Sequence, residues 1–130
     1  VWCHVMDRID FKALFGECML CGDAWRNGRF PKVLDVHEIA RGAARKRAVV
    51  TPATWLVLCR VHHDEVACWP VTRQLALKKL RDFERFNLEI VNRLRHRSEW
   101  AITDSDIHEE IDLVLQRLND FGLRVDSELI

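Results

Sequence analysis

The 130-residue sequence lacks the apolar run of about 20 residues that a membrane-spanning helix requires. It also lacks a cleavable signal pattern at its first residues, an internal repeat and a low-complexity linker. The mixture of 48% hydrophobic and 31% charged residues excludes collagen, a disordered tail and a coiled-coil rod. We therefore expect a globular, intracellular (cytoplasmic) protein with no membrane partner.

Net charge is also absent, because 20 Lys and Arg residues balance 20 Asp and Glu residues. This balance hides a division along the chain. Residues 98–130 hold two basic and nine acidic residues, whereas residues 1–97 carry a net charge of +7. The first three-quarters of the chain can therefore face a polyanion, and the acidic tail cannot.

The sequence contains five cysteines. An odd number of cysteines, in a chain without an export signal, argues against a disulfide framework. Their spacing instead resembles two zinc knuckles, which are turns that aim two ligands at one metal ion. Cys18 and Cys21 form a C-x2-C pair, and Gly22 behind it can adopt the positive φ that such a turn needs. After 37 intervening residues, Cys59 and His62 form a C-x2-H pair. Tetrahedral zinc accepts a Cys3His set, so the sequence predicts a structural zinc site.

An alternative is that these cysteines are simply small buried apolar residues. Cys3 and His4 are possible substitute ligands. The remaining Cys68 lies beside Trp69 and is predicted to belong to the core.

The centre of the chain predicts a strand, a basic loop and a second strand that runs directly into Cys59. On the first strand, Asp35 and His37 share one face if the strand is regular. The predicted elements of this part are a helix or arm over 7–17, strands over 32–39 and 55–58, and a helix over 61–67.

The rest of the chain predicts helices. Thr72 is the predicted N-cap of the first, with Asn87 as a polar break, and a last helix runs from about 103–105 to Gly122. The apolar stripe of the first comprises Ala76, Leu80, Phe83, Ile90 and Leu94. The stripe of the last comprises Ile107, Ile111, Val114, Leu115, Leu118 and Phe121.

A group of residues that can perform chemistry lies on the first strand and at the start of the following helix. The strand carries Asp35, His37 and Glu38, and His63 follows the knuckle histidine. If zinc joins the two knuckles, His63 is held near the strand. A carboxylate and two imidazoles can bind a divalent ion with open positions, and a His or Glu beside it can deprotonate water.

The order knuckle, strand, basic loop, strand, knuckle and helix resembles the HNH endonuclease family, which has the ββα-metal or His-Me finger fold. The matching stretch is roughly residues 18–67. Residues 34–39 look like the first-strand motif of the family, and residues 55–59 look like its second strand. The sequence departs from the family at Thr54, where the central Asn is expected.

The resemblance implies an α+β fold with a small ββα-metal core stapled by the Cys3His zinc site. Residues 1–70 then form this core with an N-terminal arm, and residues 71–130 form a helical C-terminal extension that packs on it as one compact domain. The activity implied is metal-dependent nicking or cutting of DNA.

Two assignments of the catalytic residues are open. His63 matches the last His of the family, a ligand of the catalytic metal. Aligned on the isoleucine that ends the motif, Glu38 takes the position of the general base and His37 that of a metal ligand. A one-residue shift with a bulge instead makes His37 the base and Asp35 a metal ligand.

The basic loop between the strands is predicted to contact DNA phosphates, and the alternative is a solvated surface. Nothing in the sequence resembles a base-reading helix, so we expect low sequence specificity. The predicted contacts are Arg41, Arg45, Lys46 and Arg47, with Arg26, Arg29 and Lys32 as further candidates.

Three functions remain as hypotheses. The first is an HNH-type DNA endonuclease with a structural zinc and a catalytic divalent ion such as Mg, Mn or Ni. The second is a zinc-stapled DNA-binding or assembly module that lost its base. The third is a structural zinc domain with a dimerising helical tail. The acidic C-terminal helix can pack on the basic region, mimic DNA, or bind a protein partner or a second copy.

Overall fold

The computed structural model describes residues 7–22, 33–39, 51–94, 101–126 and 128. Within these ranges the fold is α+β, as predicted, with a two-stranded antiparallel sheet and five α-helices. The elements, in chain order, are α1 (Arg8–Phe15), β1 (Leu34–Glu38), a 3-10 turn (Pro52–Thr54), β2 (Trp55–Cys59), α2 (Arg60–Ala67), α3 (Val71–Arg81), α4 (Leu88–Leu94) and α5 (Asp104–Asp120).

The sheet pairs β1 with β2 in a regular register that runs from Leu34 opposite Cys59 to Glu38 opposite Trp55. No bulge interrupts the five pairs, so successive side chains of β1 alternate between the two faces of the sheet. Asp35 and His37 therefore share one face, and Glu38 lies on the other.

Side-chain caps define the ends of α1 and α5. Asp7 accepts a hydrogen bond from the Asp10 N–H at the start of α1. At the start of α5, Thr103 and Asp106 form a reciprocal capping box. Gly122 follows α5 with φ +70°, in agreement with the predicted stop.

The structure corrects the predicted helix after Pro70. The helix begins at Val71 with Pro70 as its N-cap, so Thr72 lies inside it. It ends at Arg81, where the backbone of Asp82 leaves the helical region, and the Asp82 carboxylate accepts a hydrogen bond from Lys78. The stripe is therefore divided between α3 and α4, and Phe83 is exposed rather than in the core. Cys68 is likewise exposed.

The helix α3 packs against α5, and it also contacts the sheet: Lys78 donates a hydrogen bond to the Trp55 carbonyl, and Gln74 accepts one from His37. The buried residues of α5 belong to the predicted stripe and are Ile107, Ile111, Val114 and Leu118. Within the described ranges, no helix combines the length and the hydrophobicity that a membrane-spanning segment requires.

Lys78 of α3 is a charged residue in the core. Its side chain is fully buried, and its ammonium group donates to the Trp55 carbonyl at 2.8 Å and to the Asp82 carboxylate at 2.7 Å. Burial lowers the pKa of Lys78 from 10.5 to about 8, although the Asp82 carboxylate opposes this shift. The ammonium therefore ties α3 to the start of β2 at a desolvation cost.

The burial of Lys78 predicts an unusual dependence of stability on pH. Between pH 8 and 10.5 the unfolded chain retains the Lys78 proton that the folded chain has lost, so stability rises with pH. The expected gain across this interval is about 3 kcal/mol, because each pKa unit corresponds to about 1.4 kcal/mol. Urea unfolding of the wild type and of Lys78→Met at both ends of the interval measures it. Lys78→Met should show no such gain in stability, whereas the control Lys79→Met should show the same gain as the wild type. If Lys78→Met kept the pH slope of the wild type, the slope would not come from Lys78.

Candidate metal centre and strand–helix site

Four side chains from two distant segments meet at one point, and we call Cys18, Cys21, Cys59 and His62 the Cys3His cluster. Their ligand atoms all lie within 4.8 Å of one another. His62 Nδ1 is 3.2 Å from the Cys59 sulfur and 3.8 Å from the Cys18 sulfur. Tetrahedral zinc, with Zn–S of about 2.3 Å, needs ligand atoms about 3.6–3.8 Å apart. The cluster is therefore of a size that can hold a metal such as zinc.

The first half of the cluster is a tight turn. The Gly22 N–H donates to the Cys18 carbonyl at 2.8 Å, and Gly22 has φ +77°. A Cβ at this glycine would lie 2.9 Å from a methyl carbon of Leu123. The positive φ expected for Gly22 is confirmed, and it is the reason for glycine there, since the end of the Leu123 side chain can shift away from a Cβ.

The second half of the cluster is built by the junction of β2 and α2. Cys59 ends β2 and is the N-cap of α2, so His62 lies in the first turn of that helix. The Met19 N–H donates to the Val57 carbonyl at 2.7 Å, which fixes the first turn against β2. The two predicted knuckles therefore converge because both are anchored to the same strand.

Burial dominates the electrostatics of the cluster. Burial raises the pKa of the Cys18 thiol, although the backbone N–H groups of Cys59, Cys21 and Leu20 stabilise its thiolate. A cation bound between the thiolates would offset this desolvation, because metal ligation deprotonates cysteine. The closed Cys3His set, three of whose four ligands are buried, is typical of a structural site rather than a catalytic one.

The end of α5 closes the cluster on one side. The Phe121 ring stacks edge-on against the His62 ring with centroids 5.0 Å apart. Arg117 donates two hydrogen bonds to Glu65 of α2, at 2.9 and 2.7 Å, and this pairing lowers the pKa of Glu65. The C-terminal helix is thus fixed to the helix that carries a cluster ligand.

Next to the cluster, three residues form a second group, which we call the strand–helix site: Asp35 and His37 of β1, and His63 of α2. His63 Nδ1 lies 3.2 Å from Asp35 Oδ2. The rings of His37 and His63 meet edge-on with centroids 5.1 Å apart. The structure therefore brings these three predicted residues together, on the face of the sheet that α2 covers.

The Asp35 carboxylate organises one side of this site. A carboxylate only accepts hydrogen bonds, so the Nδ1–H of His63 donates to it and the neutral ring keeps its lone pair on Nε2. The guanidinium of Arg60, at the start of α2, also lies 3.2 Å from Asp35 Oδ2. A histidine oriented in this way by a carboxylate is the usual form of a metal-ligating histidine.

Glu38 does not join the strand–helix site. Because β1 is regular, its side chain points to the opposite face of the sheet from His37. There its carboxylate is buried and forms an ion pair with Arg8 of α1. This placement corrects the expectation that Glu38 and His37 act in one site.

Thr54 is the residue at which the HNH resemblance led us to expect an Asn. Its carbonyl accepts a hydrogen bond from the Ile39 N–H at 2.8 Å, just beyond β1. Its hydroxyl donates to the Thr51 carbonyl at 3.4 Å. The backbone of this residue therefore helps to hold the end of β1, while its side chain serves the local turn.

The comparisons with known proteins give no assignment. No family model, curated protein or solved structure matches this chain. In the described ranges, the Cys3His cluster is the only group of three or more His, Cys, Asp or Glu ligand atoms close enough to share an ion. The ligand atoms of the strand–helix site do not lie that close together. A second metal ion at this site is therefore our proposal, which is argued below.

Some predicted residues lie outside the described ranges. These are the proposed phosphate contacts Arg41, Arg45, Lys46 and Arg47, their neighbours Arg26, Arg29 and Lys32, and the substitute ligands Cys3 and His4.

Sequence reasoning missed two residues that contact the strand–helix site. Arg60 lies against Asp35, and Gln74 of α3 lies 2.8 Å from His37 Nε2. The sequence does mark Gln74 as unusual, because it is a polar residue between the apolar positions of α3 and lies four residues before Lys78. However, His37, which it contacts, lies on a distant strand, and the spacing of residues does not reveal that contact.

Proposed function

We propose that the chain is a metal-dependent DNA endonuclease of HNH type with low sequence specificity. The observation that carries the proposal is the pair of facing imidazoles, His37 on a strand and His63 on the helix that follows the second strand. The order of these elements agrees with a ββα-metal core. The adjacent Cys3His cluster gives that core a structural metal, for which zinc is the expected ion.

The residues of the strand–helix site suit a divalent ion. Imidazole and carboxylate ligands accept ions such as Mn, Ni or Mg, and Asp35 already orients His63 for ligation through Nε2. When bound, such an ion supplies charge stabilisation to a phosphodiester that is being hydrolysed.

The residues of the site then perform the remaining steps. His37 accepts a proton from the attacking water as the water oxygen forms a bond to phosphorus. One phosphorus–oxygen ester bond breaks, and its oxygen leaves with a proton from solvent, which leaves a phosphate monoester and a hydroxyl. We assign the base to His37 rather than to Glu38, because Glu38 is buried against Arg8 on the other face of the sheet.

We propose DNA as the substrate because the part of the chain that contains the site is positively charged. Residues 1–97 carry a net charge of +7, and the basic segment 41–47 connects the two strands of the site. Contacts to phosphates are independent of sequence, so they predict binding that weakens steeply with salt and shows little base preference.

The test is a nicking assay on supercoiled plasmid with zinc-loaded protein. Mg, Mn or Ni is added to one set of reactions and omitted from another, without a chelator, so that the Cys3His cluster stays loaded. We expect conversion to open-circular DNA only with the added ion. Protein carrying His63→Ala, purified in the same way, controls for contaminating nuclease.

The other hypotheses predict different results. DNA binding without cleavage across these metals would contradict the proposal and favour the zinc-stapled DNA-binding or assembly module. Neither binding nor cleavage, together with a concentration-dependent dimer, would favour the structural zinc domain that associates through its acidic C-terminal helix.

A further inference from the structure

Gln74 is a fully buried amide that bridges α3 to the strand–helix site. Its Nε2 donates to the Trp69 carbonyl at 2.9 Å, and its Oε1 lies 2.8 Å from His37 Nε2. A carbonyl only accepts hydrogen bonds, so the Trp69 carbonyl fixes which end of the Gln74 amide bears the nitrogen. The oxygen must then face His37.

This orientation determines the protonation of the His37 ring. An amide oxygen also only accepts, so His37 Nε2 must carry the proton and donate it to Gln74. In the neutral ring the lone pair is then on Nδ1. We propose that Gln74 is a positioning residue: it holds His37 as the Nε2–H tautomer and so makes Nδ1 the nitrogen that serves the reaction.

The burial of the bridge supports this role. Gln74 is 0% exposed, so water does not compete for its amide, and breaking either hydrogen bond would leave a buried polar group unpaired. Asp35 has the complementary effect on His63, whose Nδ1–H it accepts. The two histidines are thus held in opposite tautomers by partners on different elements.

The inference rests on the proposed function for the role of His37, but the tautomer is measurable without DNA. The full-length, zinc-loaded protein is labelled with ¹⁵N-histidine, and long-range proton–nitrogen spectra are recorded well above the ordinary imidazole pKa of about 6.5. The His37 signals are identified by their loss in His37→Ala. We expect protonated Nε2 and unprotonated Nδ1 in the wild type.

Two variants of Gln74 separate positioning from packing. Gln74→Met keeps the length of the side chain but removes the acceptor, so we expect a mixture of His37 tautomers. We also expect slower nicking, by about 10- to 100-fold, as for the outer partners of metal-ligating histidines. Gln74→Glu keeps an acceptor opposite Nε2 and loses the donor to Trp69. It should retain the Nε2–H tautomer, and we expect a nicking rate between those of Gln74→Met and the wild type, because the Trp69 carbonyl loses its donor.

A wild-type ring protonated on Nδ1, or a pure Nε2–H tautomer in folded Gln74→Met, would overturn the inference. The wild-type spectrum is decisive by itself even where Gln74→Met does not fold. The expected tautomers in a protein that never nicks DNA would support the role of Gln74 and refute the proposed function, so the two failures are distinguishable.

Discussion

Cys18→Ser is expected to remove the bound zinc and abolish cooperative folding at ordinary temperature. The apparent binding free energy of structural zinc is about 10–16 kcal/mol, whereas whole domains are stable by only about 5–15 kcal/mol. Cys18 is fully buried, and it joins the first turn to the β2–α2 junction through the cluster. Losing this ligand therefore removes a contribution comparable to the whole stability of the fold.

Elemental analysis and thermal unfolding followed by circular dichroism measure this effect. The wild type should contain about one zinc per chain and should unfold at much lower temperature after treatment with a chelator. Cys68→Ser is the matched control, since Cys68 is an exposed cysteine outside the cluster. It should leave both zinc content and melting temperature unchanged. If Cys18→Ser contained no zinc but kept the melting temperature of the wild type, the metal would not have a structural role.

Local sequence signals predicted the individual elements well. Branched residues before His37 and after Thr54 indicated two strands, and the capping residues and Gly122 indicated the limits of α5. The exception is the region after Pro70, where the apolar spacing continued through a break in the helix. At that break Asp82 leaves the helical region, and its carboxylate binds both Lys78 and Arg85. The spacing of apolar residues does not reveal such contacts.

The sequence predicted those features of the Cys3His cluster and the strand–helix site that depend on the spacing of residues within one turn or one strand. The two-residue spacing within each knuckle indicated the cluster, and a regular strand implied that Asp35 and His37 share a face. We expected His37 to be the base only with a bulge in β1, but β1 is regular, and this regular alternation itself puts Glu38 on the opposite face of the sheet from His37. The buried bridge from Gln74 depends on the packing of α3 against the sheet, and no local pattern encodes that contact.

His37→Ala and His63→Ala are each expected to lower the nicking rate by at least about 100-fold, within the range of about 10²–10⁴ that a positioned acid–base group contributes. The former removes the proposed base. The latter removes the imidazole that Asp35 orients, and with it a proposed ligand of the catalytic ion. Neither residue belongs to the Cys3His cluster, so zinc content and melting temperature should remain near those of the wild type.

Initial nicking rates on supercoiled plasmid and fluorescence anisotropy on a labelled duplex separate catalysis from binding. Affinity for DNA should stay close to that of the wild type in both variants, because the predicted phosphate contacts come from the basic segment 41–47. His108→Ala is the matched control, since His108 is an exposed histidine on α5 and should leave the rate unchanged. Full activity in folded His37→Ala, with activity lost in His63→Ala, would exclude His37 as the base while retaining a metal at α2. Full activity in both variants would place the chemistry elsewhere and refute the strand–helix site.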